Sequence, residues 1–149
     1  MDFIIEKMPA HRIAYIRHTG PYGISNGQTM EALKKWAKEN QLLRDETIIF
    51  GIARDNPETT KLENCRYDAC IVVADDFMAM DVTIGSISGG KYAVFKIDHT
   101  AEAVQKAWMT IFSELSAQGE QFDEQRPIIE RYNVQMVNNH YCEICVPLH

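Results

Sequence analysis

The chain repeats itself, and that repetition constrains its fold more than any other feature. The segment Arg12-Ile-Ala-Tyr-Ile-Arg17 and the segment Lys91-Tyr-Ala-Val-Phe-Lys96 share one pattern of basic, apolar, Ala, apolar, apolar and basic residues. Each precedes a stretch with apolar residues at helical spacing, Met30, Leu33, Trp36 and Ala37 in the first half and Val104, Ala107, Trp108, Ile111, Phe112 and Leu115 in the second. Short β-rich runs follow, Thr47–Ile52 and Pro127–Tyr132, and each half closes on a further strand, Tyr67–Val73 and Tyr141–Pro147. The predicted unit is strand, helix, strand, strand, once over about residues 1–74 and again over about 86–149. Residues 75–87 bridge the halves, and Gly89-Gly90 supplies the turn that launches the second copy.

Strands adjacent in sequence favour antiparallel pairing, and one helix per half suffices to cover one face of a sheet. The expected fold is α+β: one domain over residues 1–149, its two repeats related by a pseudo-twofold axis, with an antiparallel sheet, helices on one face and a central cleft. A chain of 149 residues is of ordinary single-domain size.

The composition excludes several function classes. A net charge of −6 and the lack of any Lys/Arg run argue against direct nucleic-acid binding. No apolar stretch reaches the roughly 18 residues of a membrane span, and the N-terminal apolar run is too short for a signal-peptide core. Cys65, Cys70, Cys142 and Cys145 are therefore read as reduced thiols of a cytoplasmic, bacterial-type protein. Cys142-Glu-Ile-Cys145 has C-x-x-C spacing, yet in a strand residues three apart point to opposite faces, so inert buried thiols are expected. His18 and His99 lack acidic partners at fixed spacing, so neither a metal nor a cofactor is expected.

Aligning Ile48-Ile49-Phe50 with Ile128-Ile129-Glu130 sets a carboxylate where the first half has an aromatic ring. Alternation groups Glu130 with Ile128 and Tyr132, and the matching face of the first half carries Ile48, Phe50 and Ile52. A carboxylate on an apolar face must protonate, find a cation or meet water in a cavity. The alternative is an edge-strand glutamate, solvated or paired with Arg126 or Arg131.

On four motifs in order the chain resembles the GyrI-like small-molecule-binding family, which includes the DNA gyrase inhibitory protein and the effector-binding domains of AraC-type and MerR-type transcription regulators. They are Arg12–Tyr22, Arg54-Asp-Asn-Pro57 with Cys65–Cys70, Ile87–Ala93, and Arg126-Pro-Ile-Ile-Glu-Arg-Tyr132 with Glu143–Pro147. The resemblance implies a cleft for lipophilic, often cationic compounds with a glutamate, Glu130, at its base and Trp108 and Tyr132 as walls. The expected ligand-binding set is Glu130, Trp108, Tyr132, Phe50 and Cys145. Cys145 stands where relatives frequently carry a tyrosine, and Ala53 and Arg54 stand where they carry aromatics, so a less aromatic cleft is expected.

Three functions follow from that resemblance. The first is a stand-alone binding module that senses or sequesters a small molecule. The second is a hydrolase of strained or electrophilic compounds with Glu130 as general base. The third is contact with a protein partner, DNA gyrase, through the acidic surface.

Overall fold

The computed structural model describes residues 2–149. Its eight strands are β1 (Ile4–Met8), β2 (His11–Thr19), β3 (Ile49–Ala53), β4 (Arg66–Val73), β5 (Thr83–Ile87), β6 (Gly90–Asp98), β7 (Ile129–Tyr132) and β8 (Tyr141–Pro147). The α-helices are α1 (Ile24–Glu39), α2 (Ala101–Ala117) and the short α3 (Val134–Asn138), and a 3-10 turn spans Leu62–Asn64. The strands form one antiparallel sheet in the order β1-β6-β8-β7-β3-β4-β2-β5, curled into a half-barrel. The α+β class therefore holds. β3 and β7 are the central pair, with β4 and β2 outward on one side and β8 and β6 outward on the other.

The helices share one face because both amphipathic stripes supply the same core. Met30, Leu33, Trp36 and Ala37 of α1 and Ala107, Ile111 and Leu115 of α2 pack with Ile71, Phe95 and Ile144 of the sheet. Removing such surface from water stabilises by about 25 cal/mol per Å². The inner face of the curl buries a second core, with Ile13, Phe50, Ile52, Tyr92, Ile129 and Cys145 fully or almost fully enclosed. The two helix tryptophans do different work. Trp36 is buried, donates its indole N–H to Asp81 at 2.9 Å and meets Phe77 edge-on, whereas Trp108 is 39% exposed.

Register corrects one expectation. Gly51 pairs with Glu130 across the β3–β7 ladder, and Phe50 pairs with Arg131. Paired residues share a face, so Phe50 and Glu130 lie on opposite sides of the sheet rather than at matching positions. Matching the two segments by their letters is one residue out, and with a period of two that slip inverts the face. The face that matches Glu130 carries Ile49, Gly51 and Ala53, not Ile48, Phe50 and Ile52.

β1 and β5 lie at the two edges of the sheet, and sequence patterning did not announce either one. β5 occupies the end of the segment expected to be a bridge. All four cysteines are free and buried. Cys142 belongs to the helix-side core and Cys145 to the inner core, so their thiols do point to opposite faces. Burial raises both thiols to about 12, which keeps them protonated and unreactive.

Candidate functional site

The helices leave one part of the central seam uncovered. α1 packs on β2 and β4, α2 on β6 and α3 on β8. The Ile49–Tyr132 end of the central pair is covered, since Tyr132 is buried beside His99 and the Lys34 ammonium of α1. The Gly51–Glu130 end opens into a cleft of about 890 Å³, within the size range of small-molecule sites.

Gly51, Tyr67 and Glu130 form the floor of this cleft. Gly51 is required by its neighbour, because a Cβ there would stand 2.7 Å from the Tyr67 hydroxyl. Trp108 and Phe112 of α2 form one wall, and Phe122 and Ile128 of the segment before β7 continue it. The rings of Phe112 and Phe122 meet edge-to-face, with centroids 5.4 Å apart, which closes this wall. Arg126 anchors the same segment: its guanidinium donates to the Leu148 carbonyl at 2.6 Å and to Asp123 at 2.9 Å, and lies 4.9 Å from the Tyr92 ring centre.

Both arginines that the sequence offers as partners for Glu130 are engaged elsewhere. Arg131 donates to both oxygens of Glu6 at 2.7 and 2.9 Å and to Glu143 at 3.0 Å, on the inner face. Arg126 is held by Asp123 and by carbonyls. Among the described residues Glu130 makes no hydrogen bond and no ion pair. Burial, with no cation to oppose it, raises its pKa above the ordinary 4.5. Burial also raises the Tyr67 phenol above its ordinary 10.0, and the nearby Glu130 charge adds to the effect. The floor is thus a carboxyl and a phenol that lack the partners buried polar groups normally find.

The structure brings Glu130 and Trp108 of the expected set together in the cleft, and places the other members elsewhere. Phe50 and Cys145 are fully buried in the inner core, behind the sheet from Glu130. Tyr132 shares the face of Glu130 but is 7% exposed beneath α1 and does not line the cleft. Tyr67 and Phe112 line it without having been picked out, and Ala53 and Arg54, expected there only as replacements for aromatic rings, lie along it as well. The available signal was Gly51, since a glycine inside an apolar strand marks a close approach by another group. Gly51→Ala is expected to cost about 1–3 kcal/mol in urea denaturation by crowding the Tyr67 hydroxyl. Adding Tyr67→Phe should restore most of that loss, and a double variant no more stable than Gly51→Ala would show that the hydroxyl is not what Gly51 accommodates.

Among the described residues no group of three or more His, Cys, Asp or Glu side chains is placed to hold a metal ion. No helix among the described residues is long and apolar enough to cross a membrane.

The model of a family described as GyrI-like small molecule binding domain matches residues 1–149. The chain is 45% identical over 155 residues to the SPbeta prophage protein YosT of Bacillus subtilis (strain 168), whose name assigns it provisionally to transcriptional regulation, and the match covers 99% of each chain. It is 26% identical over 136 residues to a DNA gyrase inhibitor of Citrobacter rodentium (strain ICC168), covering 89% of this chain and 85% of that one. Among solved structures, SAV2435 bound to tetraphenylphosphonium superposes with a TM-score of 0.66 at 14% identity, over 100% of this chain and 94% of that one. EcmrR in its DNA complex superposes with a TM-score of 0.76 at 14% identity; the match covers 99% of this chain but spans only 57% of EcmrR.

Proposed function

The chain belongs to the GyrI-like small-molecule-binding domain family, and from that premise we propose that it binds lipophilic cations in the cleft above Glu130, to sense or sequester them. The observation that carries this reading is the Glu130 carboxyl, partly buried on the cleft floor with no cation or hydrogen-bond donor bonded to it among the described residues. Ionising a group in such a place is unfavourable until a positive charge arrives. A guest cation would supply it. The rings of Trp108 and Phe112 would add apolar contact and attraction between the cation and their faces. That a structural neighbour was solved with tetraphenylphosphonium makes this ion a suitable probe.

Isothermal titration calorimetry with tetraphenylphosphonium tests the reading. Saturable binding is expected, with release of guest as pH falls, because protonated Glu130 offers no charge. Trp108→Ala should weaken binding about 5- to 30-fold while shifting the denaturation midpoint little, since the ring is partly exposed. Binding equally tight in Trp108→Ala would place the guest outside this cleft.

A second reading, hydrolysis, is favoured by the Tyr67 phenol sharing the floor with Glu130. A carboxylate of raised pKa is suited to take a proton from water. Product formation from an electrophilic guest, followed by mass spectrometry, separates turnover from binding alone. Contact with DNA gyrase, which the name of one relative invites, would instead leave inhibition of supercoiling intact in Glu130→Gln.

A further inference from the structure

The sheet ends on two edges that are built differently. At one end β5 pairs with β2 alone, and its exposed positions, Thr83 and Ser86, are polar. At the other end β1 pairs with β6 alone, from Ile4 opposite Val94 to Met8 opposite Gly90. No strand among the described residues lies on its outer side. Ile4 and Ile5 are 64% and 48% exposed there, and as successive strand residues they stand on opposite faces of the sheet. An edge that is apolar on both faces is a template for a further strand.

A second copy of this chain supplies a strand that fits. Two identical edges meet antiparallel about a twofold axis normal to the sheet, which keeps each face on its own side, so a residue pairs only with one of the same face. The axis must then pass beside a single residue, which meets its own copy. Centred on Glu6 or on Lys7, the pairing opposes like charges, and centred on Ile4 it sets Asp2 against Glu6 of the second copy; such pairs are destabilising. Centred on Ile5, it sets Ile5 against Ile5, Ile4 against Glu6 and Phe3 against Lys7. Glu6 is already neutralised by Arg131 at 2.7 and 2.9 Å, so Ile4 meets no bare charge. The Phe3 ring is held against Phe95, with centroids 5.1 Å apart, and offers a face to the Lys7 ammonium, which has no ion pair among the described residues.

We propose that the chain forms a dimer across β1, with Ile5 on the twofold axis and two eight-stranded sheets joined into one. Backbone hydrogen bonds along the new ladder and the burial of Ile4 and Ile5 hold it together. No residue that lines the cleft belongs to β1, so this inference is independent of what the cleft binds.

Sedimentation velocity at about 100 µM, above the micromolar Kd of a small interface, should show a species of twice the 17.1 kDa chain mass. Ile5→Lys sets ammonium against ammonium on the axis and should weaken association at least about tenfold. Ile24→Lys, at an exposed site on α1, should leave it unchanged. Ile5→Cys should yield a disulfide-linked dimer under mild oxidation, because directly opposed strand residues have Cα atoms about 4.5–5.5 Å apart, within disulfide reach. The four native cysteines are buried and give no background. Ile4→Cys should stay unlinked, since its two copies are offset by two residues, about 7 Å, along the strands. A wild-type protein that sediments as a monomer at this concentration would overturn the proposal, as would a dimer undiminished in a folded Ile5→Lys variant. Linkage through Ile4→Cys and not through Ile5→Cys would overturn the register.

Discussion

Glu130→Gln is expected to weaken tetraphenylphosphonium binding about 10- to 100-fold and, at neutral pH, to raise the stability of the empty protein. Two unit charges about 5 Å apart at an effective dielectric near 20 attract by about 3 kcal/mol, and water in the open mouth of the cleft removes part of that. What remains corresponds to one to two decades of affinity. The stability gain has the opposite sign because the carboxyl has no partner in the empty cleft. Its folded-state pKa lies above the ordinary 4.5, so the folded state disfavours ionisation. The resulting penalty is absent below about pH 4.5, grows as pH rises through the raised value and is complete above it. The advantage of Glu130→Gln should therefore be visible in urea denaturation at pH 7 and vanish toward pH 4. A variant less stable than wild type at pH 7 would mean that Glu130 has a stabilising partner after all.

Asp68→Ala is expected to lower stability by about 2–4 kcal/mol, or roughly 5–12 °C in Tm. Burial alone would raise the pKa of Asp68, but the bonds from Arg17 and Arg54 outweigh it and hold the carboxyl below its usual 3.8. Removing it leaves two guanidiniums sharing no anion. Because both arginines reach water, at 36% and 24% side-chain exposure, the loss stays below that of a fully enclosed pair. A group whose pKa is depressed by folding contributes stability that is present above its unfolded value and lost as pH falls through the folded one. The gap between wild type and Asp68→Ala should accordingly narrow below about pH 3.8 in thermal melts. A gap unchanged down to pH 2 would assign the effect to packing rather than charge.

Glu130 and Asp68 show how one sheet handles buried carboxylates in two ways. Asp68 lies behind the sheet with two donors and serves the fold. Glu130 lies on the cleft side without donors and is available to a guest. The neighbouring Arg131, one residue along β7, points to the inner face and takes Glu6 and Glu143. Strand alternation thus keeps this cation away from Glu130.

The long elements of this fold were legible because their periodicity is strong. β2, β6, α1 and α2 fall where the repeated pattern puts them, and the apolar stripe of α2 even divides correctly once its two faces are distinguished. Ala107, Ile111 and Leu115 face the core, and Trp108 and Phe112 face the cleft. β1, β5 and α3 were not legible, since they are short and their sequences IIEKM, TIGSI and VQMVN carry too few turns of either period.

At the site, Glu130 was legible as a charge inside an apolar run, but for an incomplete reason. Its match to Phe50 came from letters rather than ladder register, and the same slip brought Phe50 into the expected ligand set. Cys145 followed from its place in the last strand, where alternation turns it inward. Tyr67 went unread because its role depends on which strands become neighbours, and a single strand does not reveal that.

Glu130 holds an unmatched charge facing the cleft, and an NMR titration of its side-chain carboxyl carbon reads that charge without an intermediary. The predicted result is a midpoint above 4.5 in the free protein that moves downward when tetraphenylphosphonium is bound. A midpoint at or below 4.5 in the free protein, unmoved by the ion, would contradict it.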